Sequence, residues 1–219
     1  MQLSVVLLFL SAGAGATALK GLDAGPTCTE VTFTAHQDLL ADNFVNAPDP
    51  NNETQILDFV GNLSKGIVPQ YGDPVRVGDI TYQINGTYCL VSPDAPKKRK
   101  TLQILVHGLT YNKTFWQGLG FGDDGEAYNW HQHANAHGYA TLAIDLPGHG
   151  NSAVQDPFLA TQTHTILNII TYINSAAHTA NPDDPIGKLF AHKYRHTVYV
   201  GHDCKFFICI RLLESFLIA

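Results

Sequence analysis

Positive charge is scarce in this chain of 219 residues: 13 Lys and Arg stand against 19 Asp and Glu, a formal net charge of −6 with a pI near 5.9. The one dense cationic run, Lys97-Lys98-Arg99-Lys100, is too short to neutralise a phosphate backbone, which argues against nucleic acid as a partner. It reads as a solvated turn. Membrane-spanning runs are lacking too, since the apolar stretch at 3–10, interrupted by Ser4, cannot cross a bilayer as a helix, and no stable membrane anchor is expected. Internal repeats and low-complexity segments are absent, and 19 Gly and 11 Pro are near average usage, which excludes collagen-like and disordered classes. What remains is a globular composition, 45% hydrophobic and 15% charged, long enough for one domain with a full core.

The run at 3–10 is followed by small residues offering Ala-x-Ala sites at Ala12, Ala14 and Ala16, so residues 1–18 read as a secretory signal peptide, although the charged n-region is missing. Sequons begin at Asn52, Asn62, Asn85 and Asn112, and none carries Pro in the middle. They predict a secreted glycoprotein. Cysteine is limited to four residues; Cys28 and Cys89 are expected to bridge in an oxidising compartment, while spacing alone leaves two separate buried thiols open.

Residues 19–100 read as an irregular amino-terminal region with the first strands. A short helix is expected at 54–64, then strands at 74–77 and 80–91 forming a hairpin across Gly78-Asp79. From residue 101 the pattern becomes strand, helix, strand, helix, strand: strands at 102–106, 140–144 and 197–200, helices at 126–137 and 158–177. That alternation predicts an α/β core over 101–203, a mostly parallel sheet with helices on both faces.

Three landmarks fall at the carboxyl ends of those strands, where open α/β sheets bind ligands. The first is His107-Gly108-Leu109-Thr110, where a glycine after a buried strand lets the backbone turn and approach a ligand. The second is Asp145-Leu146-Pro147-Gly148-His149-Gly150-Asn151-Ser152. The third is Val198-Tyr199-Val200-Gly201-His202. Together they resemble the α/β-hydrolase family, most closely its secreted fungal esterase and lipase members, over residues 101–202. The resemblance implies a small-molecule ester or lipid-like substrate, no cofactor, and oxyanion donors at the backbone N–H groups of Leu109 and Cys204.

The third landmark departs from the family pattern. A nucleophile elbow reads Gly-x-Ser-x-Gly, and this chain reads Gly201-His202-Asp203-Cys204-Lys205. Asp203 occupies the nucleophile position, where family members that open epoxides use a carboxylate. Lys205 replaces the second glycine and would crowd the strained turn. No histidine follows His202, and the acid could only be Glu214. Residues 204–219, apolar and without amphipathic spacing, read as an aberrant tail. The expectation is therefore an incomplete α/β-hydrolase fold, truncated at the elbow and catalytically inert, with strand 197–200 at or near an exposed sheet edge. Two alternatives stand beside it: an epoxide-hydrolase-like enzyme using Asp203, and a non-catalytic secreted binding protein.

Other candidates have plainer readings. His133 and His137 share the spacing of a zinc pair, yet no base lies between them and no third ligand is suggested, so His131, His133 and His137 read as a solvated face and no metal is expected. Ser152 should bond locally to backbone, and Asp145 should stabilise its turn. Trp116 and Phe121 could be pocket walls or core.

Overall fold

The computed structural model describes residues 27–41, 48–49, 51–67, 75–93, 95, 99–108, 110–120, 127–152, 163–190 and 192–203. The signal-like segment 1–18, Leu109, Phe121, Cys204, Lys205 and the rest of the apolar tail lie outside them.

Alternation builds the sheet. β1 (Cys28–Ala41) buries Val31, Phe33 and Ala35 while the intervening threonines stay on the wetter face, the period of two that a half-buried strand requires. β2 (Val75–Cys89) runs antiparallel to it, Cys28 opposite Cys89 and Ala41 opposite Val75. β3 (Thr101–Val106), β4 (Ala140–Ile144) and β5 (His196–Gly201) are parallel to one another, and β2 joins them antiparallel to β4, with Gly86 opposite Ile144. The order is β1-β2-β4-β3-β5, one mixed sheet of five strands. The fold is α/β, and its parallel half is β4, β3 and β5.

Two features of the amino-terminal region differ from expectation. The hairpin at Gly78-Asp79 does not form: β2 runs straight through it, with Gln37 opposite Ile80 and Leu39 opposite Val77. Gly78 and Asp79 therefore oppose the single residue Asp38, an extra residue in one strand that makes a β-bulge where the sequence resembled a turn. The second is β1 itself, a regular edge strand of the same sheet in a stretch that read as irregular.

Each face has its own cover. α3 (Thr163–Thr179) presents Ile166, Ile169, Ile170, Ile173, Ala176 and Ala177, the three-and-four spacing of a core-facing helix. This stripe lies on Val31, Phe33, Tyr82, Ile84, Leu102, Ile104, Val106, Leu142 and Ile144. Each fully buried isoleucine contributes about 2 kcal/mol of transfer free energy. The opposite face carries Leu105, Ala143 and Val200 under Trp116, from a 3-10 segment, Lys113–Gly120, and α2 (Trp130–Ala136). Trp116 is thus core. The helix expected at 126–137 starts late because the Asn129 side chain caps it, accepting the Gln132 N–H at 3.2 Å. α1 (Glu53–Ser64), capped by Asn52, buries none of its residues, and Leu57, Val60 and Leu63 are exposed.

Cys28 and Cys89 form the expected disulfide, closing a sequence separation of 61. Among the described residues, β5 pairs with β3 alone and forms one edge of the sheet.

Candidate active site

The three landmarks converge at the carboxyl ends of β3, β4 and β5. His107, fully buried, links two of them: its Nδ1–H donates to the Gly108 carbonyl at 2.8 Å, and Nε2 accepts the Leu146 N–H at 3.1 Å. The neutral tautomer protonated on Nδ1 satisfies both bonds, so this imidazole holds the end of β3 against the turn leaving β4.

Gly108 faces β5. A Cβ there would lie 2.7 Å from His202 Nδ1 and 2.8 Å from Asp203 Cβ, closer than real Cβ contacts come. Glycine is therefore required by the approach of two side chains of the protein itself, in addition to any ligand. Gly201 ends β5 opposite Val106, and the His202 N–H continues the ladder to the Val106 carbonyl at 3.2 Å. The His202 ring stacks on Phe115 at 4.4 Å and meets the edge of Tyr111 at 5.7 Å. Its Nδ1 is buried without a hydrogen-bond partner among the described residues.

Asp203 follows with φ 58°. A left-handed backbone at a non-glycine residue is strained, and such strain concentrates at functional turns; an elbow places its nucleophile on just such a sharp turn after a strand. The Asp203 residue is exposed. Thr110, in the facing loop, has φ 67°.

Asp145 organises the remaining wall. Almost wholly buried, it accepts the Lys113 N–H on Oδ1 at 2.6 Å and the Asn151 N–H on Oδ2 at 3.0 Å, and Lys113 Nζ stands 3.4 Å from Oδ2. Lys113 Nζ also reaches Glu30 Oε2 at 3.1 Å. Burial pulls the Lys113 ammonium down, but Glu30 and Asp145 more than offset it and hold its pKa above the ordinary value. Gly150, at φ 52°, has no room for a side chain, since a Cβ would come within 2.2 Å of Asp145 Oδ2; Gly148 has φ 80°. The Ser152 hydroxyl donates to the Asp145 carbonyl at 2.8 Å and accepts the Asn85 N–H at 2.8 Å. Both Asp145 and Ser152 thus hold the turn.

The histidines of α2 and its carboxyl cap, His137, part company. His133 and His137 are exposed, with the His137 Nδ1–H donating to the His133 carbonyl at 2.8 Å. His131 is not on the solvated face where the sequence put it. It points into the sheet, with Nδ1 2.7 Å from Thr141 Oγ1 and 3.3 Å from Cys89 Sγ. Burial lowers its pKa to about 4, partly countered by the charge of Glu30. Helical periodicity accounts for the split: residues two apart point about 200° apart, so His131 and His133 cannot share a face. Among the described residues no cluster of three or more His, Cys, Asp or Glu could hold a metal ion.

Lys113, Glu30, Tyr111 and Phe115 were not among the site residues the sequence singled out. A lysine between two sequon residues, Asn112 and Thr114, carries no signal of burial. Phe115 and Tyr111 were within reach, as aromatics in the loop after β3.

No family model matches this chain, and no curated protein matches it. Its fold is similar over part of its length to several solved structures. Est1E from Butyrivibrio proteoclasticus, with ferulic acid bound, is 18% identical, with 56% of this chain and 39% of that one covered and a TM-score of 0.37. A thioesterase domain from the curacin biosynthetic pathway is 24% identical, covering 43% and 28%, TM-score 0.29. Acetyl xylan esterase 1 from Thermoanaerobacterium sp. JW/SL YS485 is 17% identical, covering 59% and 39%, TM-score 0.29. The chain spans 28% to 39% of the length of these three structures. Among the described residues no helix is long and apolar enough to cross a membrane.

Proposed function

We propose that the chain is the amino-terminal part of a secreted enzyme of the α/β-hydrolase kind, acting on a small-molecule ester or lipid-like substrate. In this reading the chain supplies the oxyanion-side loop and the elbow position but no turnover of its own. The juxtaposition of Gly108 with Asp203 carries the proposal. An oxyanion donor serves acyl transfer when it lies beside the position where the nucleophile's adduct forms its oxygen anion, and the loop after β3 packs so closely on the end of β5 that a Cβ added at Gly108 would fall 2.8 Å from Asp203 Cβ. The N–H groups of Leu109 and Cys204 are the donors in this reading.

Inertness follows from the groups available. Asp203 stands where an acyl-transfer enzyme of this order has serine, and both nitrogens of His107 are engaged. An oxyanion donor alone contributes about 3 to 4 kcal/mol to a transition state and cannot replace a nucleophile. Secretion is supported by the disulfide and the sequons.

The φ of 58° at Asp203 favours a second reading, in which this carboxylate is a nucleophile that opens a strained ether to an ester intermediate. The test offers the purified chain a short-chain activated ester and a terminal epoxide, each beside Asp203→Ala. Neither substrate is expected to turn over above buffer. Epoxide opening abolished by the substitution would replace the first reading with the second, and ester hydrolysis equal in both proteins would sink both.

A further inference from the structure

The four sequons are alike in sequence and unlike in structure. We infer that they divide by fold, with Asn62 a glycan acceptor and Asn85 a structural amide left unmodified in the folded, secreted protein. The inference rests on the secreted reading above.

Asn85 lies in β2, opposite Thr32 of β1, and every polar group it has is engaged. Its Oδ1 accepts the Thr32 hydroxyl at 2.8 Å and its Nδ2 donates to the Asn151 carbonyl at 2.5 Å. Its N–H donates to Ser152 Oγ at 2.8 Å, and its carbonyl accepts the Asp145 N–H at 2.8 Å. The residue thereby joins β1, β2 and the glycine turn at 148–152. Asn85 itself is half-buried, and the other two sequon residues are buried. Gly86 pairs with Val31 on one side and Ile144 on the other, and a Cβ there would meet the Ala143 carbonyl at 2.8 Å. Thr87, 3% exposed, donates its hydroxyl to Glu30 Oε1.

An acceptor sequon needs to be reachable, which is why it marks surface loops. N-glycosylation replaces one Nδ2 hydrogen of asparagine with a pyranose ring. At Asn85 that ring would have to stand beside a carbonyl already in hydrogen-bond contact, on a strand paired on both flanks. Chains modified there before β2 pairs cannot close the turn at 148–152 against it. Asn62 has none of these constraints: it is exposed on α1, a helix with no buried residue, and Ser64 of its sequon is exposed as well.

The experiment is a peptide map of the full chain, purified from the medium of a eukaryotic secretory host. Peptide N-glycosidase treatment in heavy-oxygen water converts each glycosylated Asn to a labelled Asp. The Asn62 peptide is expected to be labelled, the Asn85 peptide to remain Asn, and the exposed-site variant Ser64→Ala to migrate faster than the parent. Label at both positions in disulfide-bonded, monomeric protein overturns the division while leaving secretion intact. Label at neither overturns the inference, and failure of the chain to reach the medium overturns the secreted reading on which it rests.

Discussion

His131 shows how one side chain can set a pH limit on the fold. Its folded pKa is lowered to about 4 by burial from an ordinary 6.5, so the folded state keeps it neutral while the unfolded chain takes up a proton as pH falls below 6.5. The stability this residue contributes is therefore whole above pH 6.5 and is lost as pH falls towards 4, a loss of about 3 kcal/mol. Denaturant melts of the parent and of His131→Gln between pH 7 and pH 4 should show the variant's stability falling less steeply by that amount; parallel slopes would exclude the burial argument. The roles of Asp145 and Ser152 as turn residues were legible in the sequence, because Gly and Pro around them fix the turn. The inward turn of His131 was not, since a histidine on a short helix with no apolar stripe to orient it gives no sign of which side faces the sheet.

At the scale of elements, the pair Lys113 and Asp145 joins pieces distant in sequence: β1 through Glu30, the 3-10 segment at 113–120, and the turn after β4. A buried ion pair need not add net stability against an apolar replacement of both partners, but removing one partner strands the other. Lys113→Met should therefore cost about 3 to 5 kcal/mol, and because Asp145 also accepts the Lys113 and Asn151 N–H groups, the double variant Lys113→Met with Asp145→Leu should lose more than either single variant but less than their sum. A chemical-denaturation cycle over the four proteins measures the coupling, and strictly additive losses would refute it. β3, β4 and β5 were readable because buried parallel strands are continuous apolar runs between turn signals. β1 carries an equally clear alternation at Val31, Phe33 and Ala35, hidden among threonines and a charged Glu30. The supposed hairpin misled because Gly-Asp suits a tight turn and a bulge equally, and register with a partner strand decides between them.

For the molecule as a whole, the two covers of the sheet are unequal. α3 lays an isoleucine stripe on one face, whereas the other face is apolar only towards β5 and polar around Glu30, Thr32 and Thr87. The disulfide sits at the root of the β1-β2 ribbon, next to His131. Closing a loop of this length lowers the entropy of the unfolded chain by the equivalent of about 4 kcal/mol. The Cys28→Ser, Cys89→Ser pair should lose stability of that order in a denaturant melt, and an unchanged midpoint would show that the bond constrains nothing.

That same bond makes the backbone from Cys28 to Cys89 a closed covalent ring, with α1 strung between its two strands. One peptide-bond scission anywhere inside the ring opens it without dividing the molecule. The two pieces remain tethered through sulfur and zipped along β1 and β2, so a nicked chain would persist as a two-chain protein that separates only when it is both reduced and unfolded.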